Sequence, residues 1–134
     1  MSSFLDTNVV VYAFDTADPD KQARALAILA SGDRLVVSTQ VLLEVWWVLT
    51  RRVAEPLDED RASEVVDTLA QLPVVHTDPE LVLRAIATSR RHRLAVWDAL
   101  ILEAALSGGC RRVLSEDLQD GFTLDTVTVS DPFR

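Results

Sequence analysis

The sequence has 134 residues, of which 49% are apolar, and its formal net charge is −8. This length and apolar content are typical of one domain with its own core, so we expect residues 1–134 to fold as a single domain. No apolar run approaches the roughly 20 residues needed to cross a bilayer. An acid at position 6 comes too early for a signal peptide, and the only cysteine has no internal partner. We therefore expect a cytoplasmic protein without membrane association.

Short β-like runs alternate with longer helical runs, which predicts an α/β fold with a parallel sheet between layers of helices. The predicted strands cover residues 3–5, 34–37, 73–76, 112–114 and 126–129. The predicted helices cover residues 8–13, 19–30, 39–52, 59–69, 79–91 and 95–106. The pattern leaves the order of the strands in the sheet open.

Cap residues support these helix boundaries. Asp18 and Asp78 each precede a proline, which suits the first turn of a helix. Ser38 or Thr39 is expected to cap the third helix, and an aspartate at position 58 or 60 the fourth. The last helix is predicted to end at the two glycines at positions 108 and 109.

Four acids lie in apolar surroundings, whereas most of the others lie in polar segments. They are Asp6, Glu44, Asp98 and Asp117. Asp6 and Asp117 follow predicted strands, and ligands of parallel sheets bind beyond the carboxyl ends of the strands. Burying a lone carboxylate costs several kcal/mol unless it is neutralised, paired or bound to a metal. Oxygen ligands favour hard cations, so these acids predict a site for Mg²⁺ or Mn²⁺, which suits phosphodiester hydrolysis.

Each of these acids also has an ordinary structural interpretation. Asp6 and Asp98 could cap the helices that follow them, Glu44 could pair with an arginine of a neighbouring helix, and Asp117 could stabilise a turn. The same apolar context recurs at all four positions, which favours a common role over four separate ones.

The charge balance leaves nucleic acid open as a partner. A broad basic binding face would usually make the net charge positive. However, a metal-binding group of carboxylates adds negative charge that the ion partly neutralises. Lys21 is the only lysine, so 12 of the 13 basic residues are arginine, which pairs bidentately with phosphate.

Four segments together resemble the PIN-domain ribonucleases, especially the VapC-type toxins of toxin–antitoxin pairs. These segments are residues 4–8 (FLDTN), 38–45 (STQVLLEV), 97–101 (WDALI) and 114–121 (LSEDLQDG). Each alone is a weak signal, but the four occur in the family's order and span the whole chain.

The resemblance implies a three-layer α/β/α sandwich with a central parallel sheet in the order 3-2-1-4-5. It implies an endoribonuclease that uses Mg²⁺ or Mn²⁺ to cleave RNA. It also implies that the protein binds a cognate antitoxin and forms a homodimer. The residues implied for the site are Asp6, Glu44, Asp98 and Asp117, with Asn8 and Ser115 in support.

Further charged residues have secondary interpretations. Arg90, Arg91 and Arg93 precede the third acid of the site, and they could bind RNA phosphate or form a solvated helix end. Glu103 and Glu116 could add a metal ligand, although we expect Glu116 to point outward.

Two other classes of enzyme and signalling domain fit the sequence less well. A haloacid-dehalogenase-type phosphatase or a phosphoacceptor receiver domain would need a late lysine, and none follows Lys21. A PIN-type nuclease with a housekeeping role in RNA processing, or a degenerate domain that only binds partners, stay as alternatives.

Overall fold

The computed structural model describes all residues from Met1 to Arg134. Its strands are β1 (Ser2–Leu5), β2 (Arg34–Ser38), β3 (Val74–Val75), β4 (Arg112–Leu114), β5 (Thr123–Leu124) and β6 (Val127–Ser130). Its helices are α1 (Thr7–Tyr12), α2 (Pro19–Leu29), α3 (Thr39–Leu49), α4 (Glu59–Leu69), α5 (Pro79–His92) and α6 (Val96–Ser107). None of these helices has the length and apolar character needed to span a membrane.

The sheet has the order β3-β2-β1-β4-β6-β5. The first five strands in this order run parallel, so the predicted α/β fold is confirmed, with β6 as the predicted fifth strand. One strand that was not predicted, β5, extends the sheet by pairing antiparallel with β6 at its edge. A strand of two residues is too short to show an alternating pattern, and it forms because β6 offers a free edge.

The helix caps agree with the sequence. Asp18, Ser38, Asp58 and Asp78 each accept a hydrogen bond from the backbone N–H three residues further on. Helix α3 ends at Leu49 rather than near residue 52, because the chain turns there. These caps satisfy N–H groups that a helix start otherwise leaves unpaired.

The strand β1 lies at the centre of the sheet and carries the start of the candidate site. Phe4 and Leu5 are completely buried within the apolar core. Leu5 pairs with Leu114 of β4, and the N–H of Asp6 donates to the carbonyl of Leu114 at 3.1 Å. The residues that follow these two strands therefore meet at the same edge of the sheet, as parallel pairing requires.

Candidate metal centre

Asp6 directly follows β1 and is the N-cap of α1. Its Oδ1 accepts a hydrogen bond from the N–H of Thr7 at 2.8 Å. Its Oδ2 accepts one from the Oγ of Ser115 at 2.7 Å. The cap interpretation of Asp6 is therefore correct, and the same carboxylate also faces the loop that follows β4.

The loop after β4 is organised around the buried hydroxyl of Ser115. Besides donating to Asp6, this oxygen accepts the N–H groups of Asp117 at 3.1 Å and Leu118 at 3.2 Å. The exposed Asp117 accepts a hydrogen bond from the Nδ2 of Asn8 at 2.7 Å. Asn8 and Ser115 thus each bind one of the predicted acids, and these bonds join two segments separated by 109 positions in the sequence.

Glu44 is half-buried on α3. Its Oε1 accepts a hydrogen bond from the Nε2 of Gln40, one helical turn earlier, at 2.6 Å. No arginine or lysine forms an ion pair with it, so the alternative interpretation, an arginine partner on a neighbouring helix, does not apply. An amide is a weaker partner than a cation for a carboxylate, so the charge of Glu44 stays uncompensated.

Asp98 lies in the first turn of α6 and does not cap it. The N-cap is Ala95, which makes no side-chain cap bond. Asp98 instead lines a cavity of about 170 Å³ together with Asp117. Most of the other lining side chains are apolar, including Leu94 and Phe122. The cavity therefore brings an acid from α6 next to an acid from the loop after β4.

The pKa values of Asp6 and Asp98 are both raised, in part by the charges of neighbouring acids. Burial raises the pKa of Asp6 from 3.8 to about 6. Hydrogen bonds from Ser115 and Thr7 lower this pKa, and the negative charges of Asp117 and Glu44 raise it. Burial also raises the pKa of Asp98, followed by the charge of Asp117. Repulsion therefore connects Asp6 with Glu44 and Asp117, and Asp117 with Asp98.

The donor chemistry of these acids fits a hard divalent cation. No three His, Cys, Asp or Glu side chains form a ready-made metal cluster. None of the four acids has a cationic side chain within ion-pair distance. Mg²⁺ typically takes one or two carboxylates and keeps several waters, so it does not require a closed cage of protein ligands. The four acids thus offer carboxylate oxygens, and no cationic side chain neutralises their negative charge.

Two further acids are engaged elsewhere. Glu116 was expected to point outward into solvent. Its side chain is instead only 19% exposed and pairs with Lys21. Glu103 is buried on α6, where it accepts a hydrogen bond from the Oγ1 of Thr88 at 2.8 Å and lies 3.7 Å from the Nε of Arg84. Both partners of Glu103 belong to α5, so it joins two helices instead of adding a ligand.

The predicted basic segment lies next to the cavity. Arg90 and Arg91 are exposed in the last turn of α5, and Arg93 ends this helix in the left-handed conformation with φ 55°. None of the three forms an ion pair. The ring of His92 packs edge-on against Phe122, which lines the cavity, with 5.8 Å between ring centroids. The end of α5 that carries these three unpaired arginines therefore lies near the cavity that Asp98 and Asp117 line.

Comparison with known proteins agrees with the fold. The family model of the PIN domain matches residues 3–121. VapC20 of Mycobacterium tuberculosis, described as a toxin that cleaves the sarcin-ricin loop, is similar in structure, with a TM-score of 0.66 at 21% identity over 83% of this chain and 86% of that one. A toxin–antitoxin complex from Klebsiella pneumoniae gives a TM-score of 0.69 at 16% identity over 97% of each chain. DNA-bound VapBC from Salmonella typhimurium gives 0.66 at 19% identity over 98% of each chain. No curated protein matches the sequence.

Proposed function

Because the chain belongs to the PIN domain family, we propose that it is a metal-dependent endoribonuclease and the toxin of a toxin–antitoxin pair. The observation that carries this proposal is the set of four carboxylates that repel one another without a cationic partner. Carboxylates kept together despite repulsion are characteristic of functional sites. A divalent cation is the species that would relieve this repulsion.

Asp6 and Asp98 are the proposed direct ligands of Mg²⁺ or Mn²⁺, with Glu44 and Asp117 completing the site. When bound, such an ion stabilises negative charge on a phosphoryl oxygen and makes water a nucleophile at neutral pH. Ser115 orients Asp6 through its hydroxyl, since it donates to the Oδ2. Asn8 orients Asp117 in the same way from α1. Such outer contacts fix the direction of each ligand oxygen.

The arginines at the end of α5 are the proposed contacts for RNA phosphate. Arg90, Arg91 and Arg93 are exposed and unpaired, and the helix ends beside the cavity that Asp98 lines. Guanidinium groups bind phosphate oxygens bidentately. Phosphate contacts position a strand without reading its bases, so these arginines would place the RNA backbone against the acids.

The proposed protein partners are a cognate antitoxin and a second copy of the chain. The similar structures from Klebsiella pneumoniae and Salmonella typhimurium are complexes of a toxin with its antitoxin, and they cover nearly all of this chain. Co-expression with the product of a small adjacent gene would test the antitoxin. Light scattering of the purified protein would test the homodimer.

The nuclease proposal is tested by incubating purified protein with a fluorescently labelled RNA, with and without Mg²⁺ or Mn²⁺. We expect cleavage that needs the metal and that Asp6→Asn abolishes. Asp125→Asn is the matched control, because Asp125 is an exposed acid in the turn before β6. This turn lies at the amino ends of the parallel strands, whereas Asp6 follows the carboxyl end of β1. Equal cleavage by wild-type and Asp6→Asn protein would refute the assignment of the site. Cleavage unchanged by a chelator would refute the role of the metal.

A further inference from the structure

Glu116 lies between two residues of the candidate site but faces away from it. Ser115 and Asp117 contact Asp6 and Asn8, respectively. The carboxylate of Glu116 instead accepts a hydrogen bond from the Nζ of Lys21 at 2.8 Å through Oε2. Its Oε1 accepts a second hydrogen bond from the hydroxyl of Tyr12. Both oxygens of Glu116 are therefore occupied outside the acid group.

Lys21, the only lysine in the chain, is itself held in place. Its backbone N–H donates to the capping carboxylate of Asp18 at 3.1 Å, which fixes it in the first turn of α2. Its ammonium group lies 4.8 Å from the ring centroid of Tyr12 and 5.7 Å from that of Phe133. These two rings pack edge-on at 5.0 Å. Rings at such distances stabilise a cation, so the ammonium group has a defined position beside Glu116.

The helix α1 holds the loop at two points one turn apart. Asn8 and Tyr12 are four residues apart, so their side chains lie on the same face of α1. Asn8 binds Asp117, and Tyr12 binds the preceding Glu116. Asp6 at the start of the same helix accepts the bond from Ser115. Three consecutive loop residues are thus each bound to a different position along one short segment.

We propose that Lys21 and Tyr12 are positioning residues that act through Glu116 to fix the 115–118 loop, and with it the carboxylate of Asp117. This inference rests on the proposed function, because it assigns the two residues to the support of the proposed metal site. Losing either one frees the Glu116 side chain to turn towards the other acids. A further carboxylate there increases the repulsion and changes the ligand set.

The first test measures how strongly the backbone amides of the 115–118 loop are protected from hydrogen exchange, without metal or substrate. Hydrogen exchange of metal-free protein, followed by mass spectrometry, reports on the segment 115–118, where the N–H groups of Asp117 and Leu118 bond to Ser115. We expect faster exchange in this segment for Lys21→Met, and the wild-type rate for Lys21→Arg, which keeps the charge. Tyr12→Phe keeps the ring but loses the hydroxyl, so we expect a smaller change in the same direction.

The second test measures metal binding and catalysis. Supporting partners of metal ligands typically contribute 10–100-fold in affinity, so we expect Lys21→Met to raise the Mn²⁺ concentration for half-saturation by about tenfold. Calorimetry with Mn²⁺ alone gives this value without RNA. We expect KM for RNA to stay unchanged at saturating Mn²⁺, because Lys21 has no proposed contact with RNA.

Arg112→Met is the matched control. Arg112 pairs with Asp33 at 3.3 Å and its side chain is 33% exposed, the same fraction as that of Lys21. It begins β4, whereas Ser115 follows the end of this strand. Equal effects of Arg112→Met and Lys21→Met on exchange in 115–118 would overturn the inference, because they would reflect a general loss of stability. Wild-type exchange and Mn²⁺ affinity in Lys21→Met would overturn it too. A wild-type protein that does not cut RNA would refute the proposed function, but the exchange result would still decide the positioning role.

Discussion

Replacing Asp6 with asparagine should stabilise the metal-free protein at neutral pH and at the same time abolish cleavage. Asp6 is partly buried, and desolvation together with the charges of Asp117 and Glu44 raises its pKa from 3.8 to about 6. The charged form is therefore less favourable in the folded protein than in the unfolded chain. Asparagine has nearly the same shape, keeps an oxygen that can accept the N–H of Thr7, and carries no charge.

The magnitude follows from the shift in pKa. One pKa unit corresponds to about 1.4 kcal/mol, so a rise from 3.8 to about 6 corresponds to a loss of about 3 kcal/mol in the free energy of unfolding. Asparagine has only one acceptor oxygen, so its amide nitrogen cannot accept the hydrogen bond that Ser115 donates to Oδ2 of Asp6. The loss of this bond offsets about 1 kcal/mol. We therefore expect a net gain of about 2 kcal/mol, or an increase in Tm of roughly 8 °C for a domain of this size.

The pH dependence fixes the sign. The pKa of Asp6 is higher in the folded state, so protonation of this carboxyl stabilises the folded protein. This contribution to the free energy of unfolding is complete below pH 3.8 and is lost as the pH rises through about 6. Asparagine does not titrate. The difference in stability between the variant and the wild type should therefore be small near pH 4 and should reach its full size above pH 6.

The assay is thermal or urea unfolding in the presence of a chelator at several pH values between 4 and 8. The exposed-acid variant Asp125→Asn should follow the wild type at every pH. Saturating Mn²⁺ should reverse the order, since a ligand that binds only the folded state stabilises by about 2.7 kcal/mol at one hundred times its Kd. A variant that is less stable than the wild type above pH 6, or a difference independent of pH, would refute the reasoning.

Three further predictions concern the other residues of the proposed site. Ser115→Ala removes a hydrogen bond that lowers the pKa of Asp6, so the pH at which cleavage is half-maximal should shift upward, and an unchanged pH–rate profile would contradict this. Glu44→Gln should reduce Mn²⁺ affinity and cleavage by about 10–100-fold with little change in Tm, as measured by calorimetry and unfolding; an unchanged affinity would exclude Glu44 from the site. Arg90→Gln combined with Arg91→Gln should weaken RNA binding and reduce the slope of log K against log salt by about 1.4, since each phosphate contact with a single strand contributes about 0.7; a slope equal to that of the wild type would place these arginines outside the RNA path.

Helix boundaries were predictable because they depend on local chemistry. Asp18, Asp58 and Asp78 cap helices in the structure because a short polar side chain can reach an N–H three residues on. The same local reasoning suggested a cap at Asp98, which was wrong. The chain starts α6 at Val96 after Ala95, so Asp98 lies inside the helix, where its side chain is free to line the cavity.

The convergence of the acids was predictable only in part. Asp6 and Asp117 each follow a strand, and the pairing of Leu5 with Leu114 brings those strand ends together. The apolar context of Glu44 indicated burial but not its partner, which is Gln40 on the same helix. Residues four apart on a helix can pair, but so can residues on neighbouring elements, and a single sequence does not reveal which of these partners a side chain takes.

The role of Glu116 was not predictable from its neighbours in sequence. Its partners, Tyr12 and Lys21, are 104 and 95 positions away. Two signals were nevertheless present in the sequence. Lys21 is the only lysine, and Tyr12 follows Asn8 by one helical turn. The spacing of Asn8 and Tyr12 matters only because the fold places the 115–118 loop along α1, where both side chains contact it.

Rigidity is unevenly distributed across the acids because β1 is the innermost strand. Asp6 continues a strand that is hydrogen-bonded on both sides and buried, so its backbone can move only if the whole domain opens. Asp117 is the exposed residue of a loop that is held by side-chain hydrogen bonds and not by strand pairing, so it can open locally at a smaller cost in free energy. In the proposed metal site, one carboxylate would therefore act as a fixed reference point, and the other could adjust its distance to it for ions of different radius.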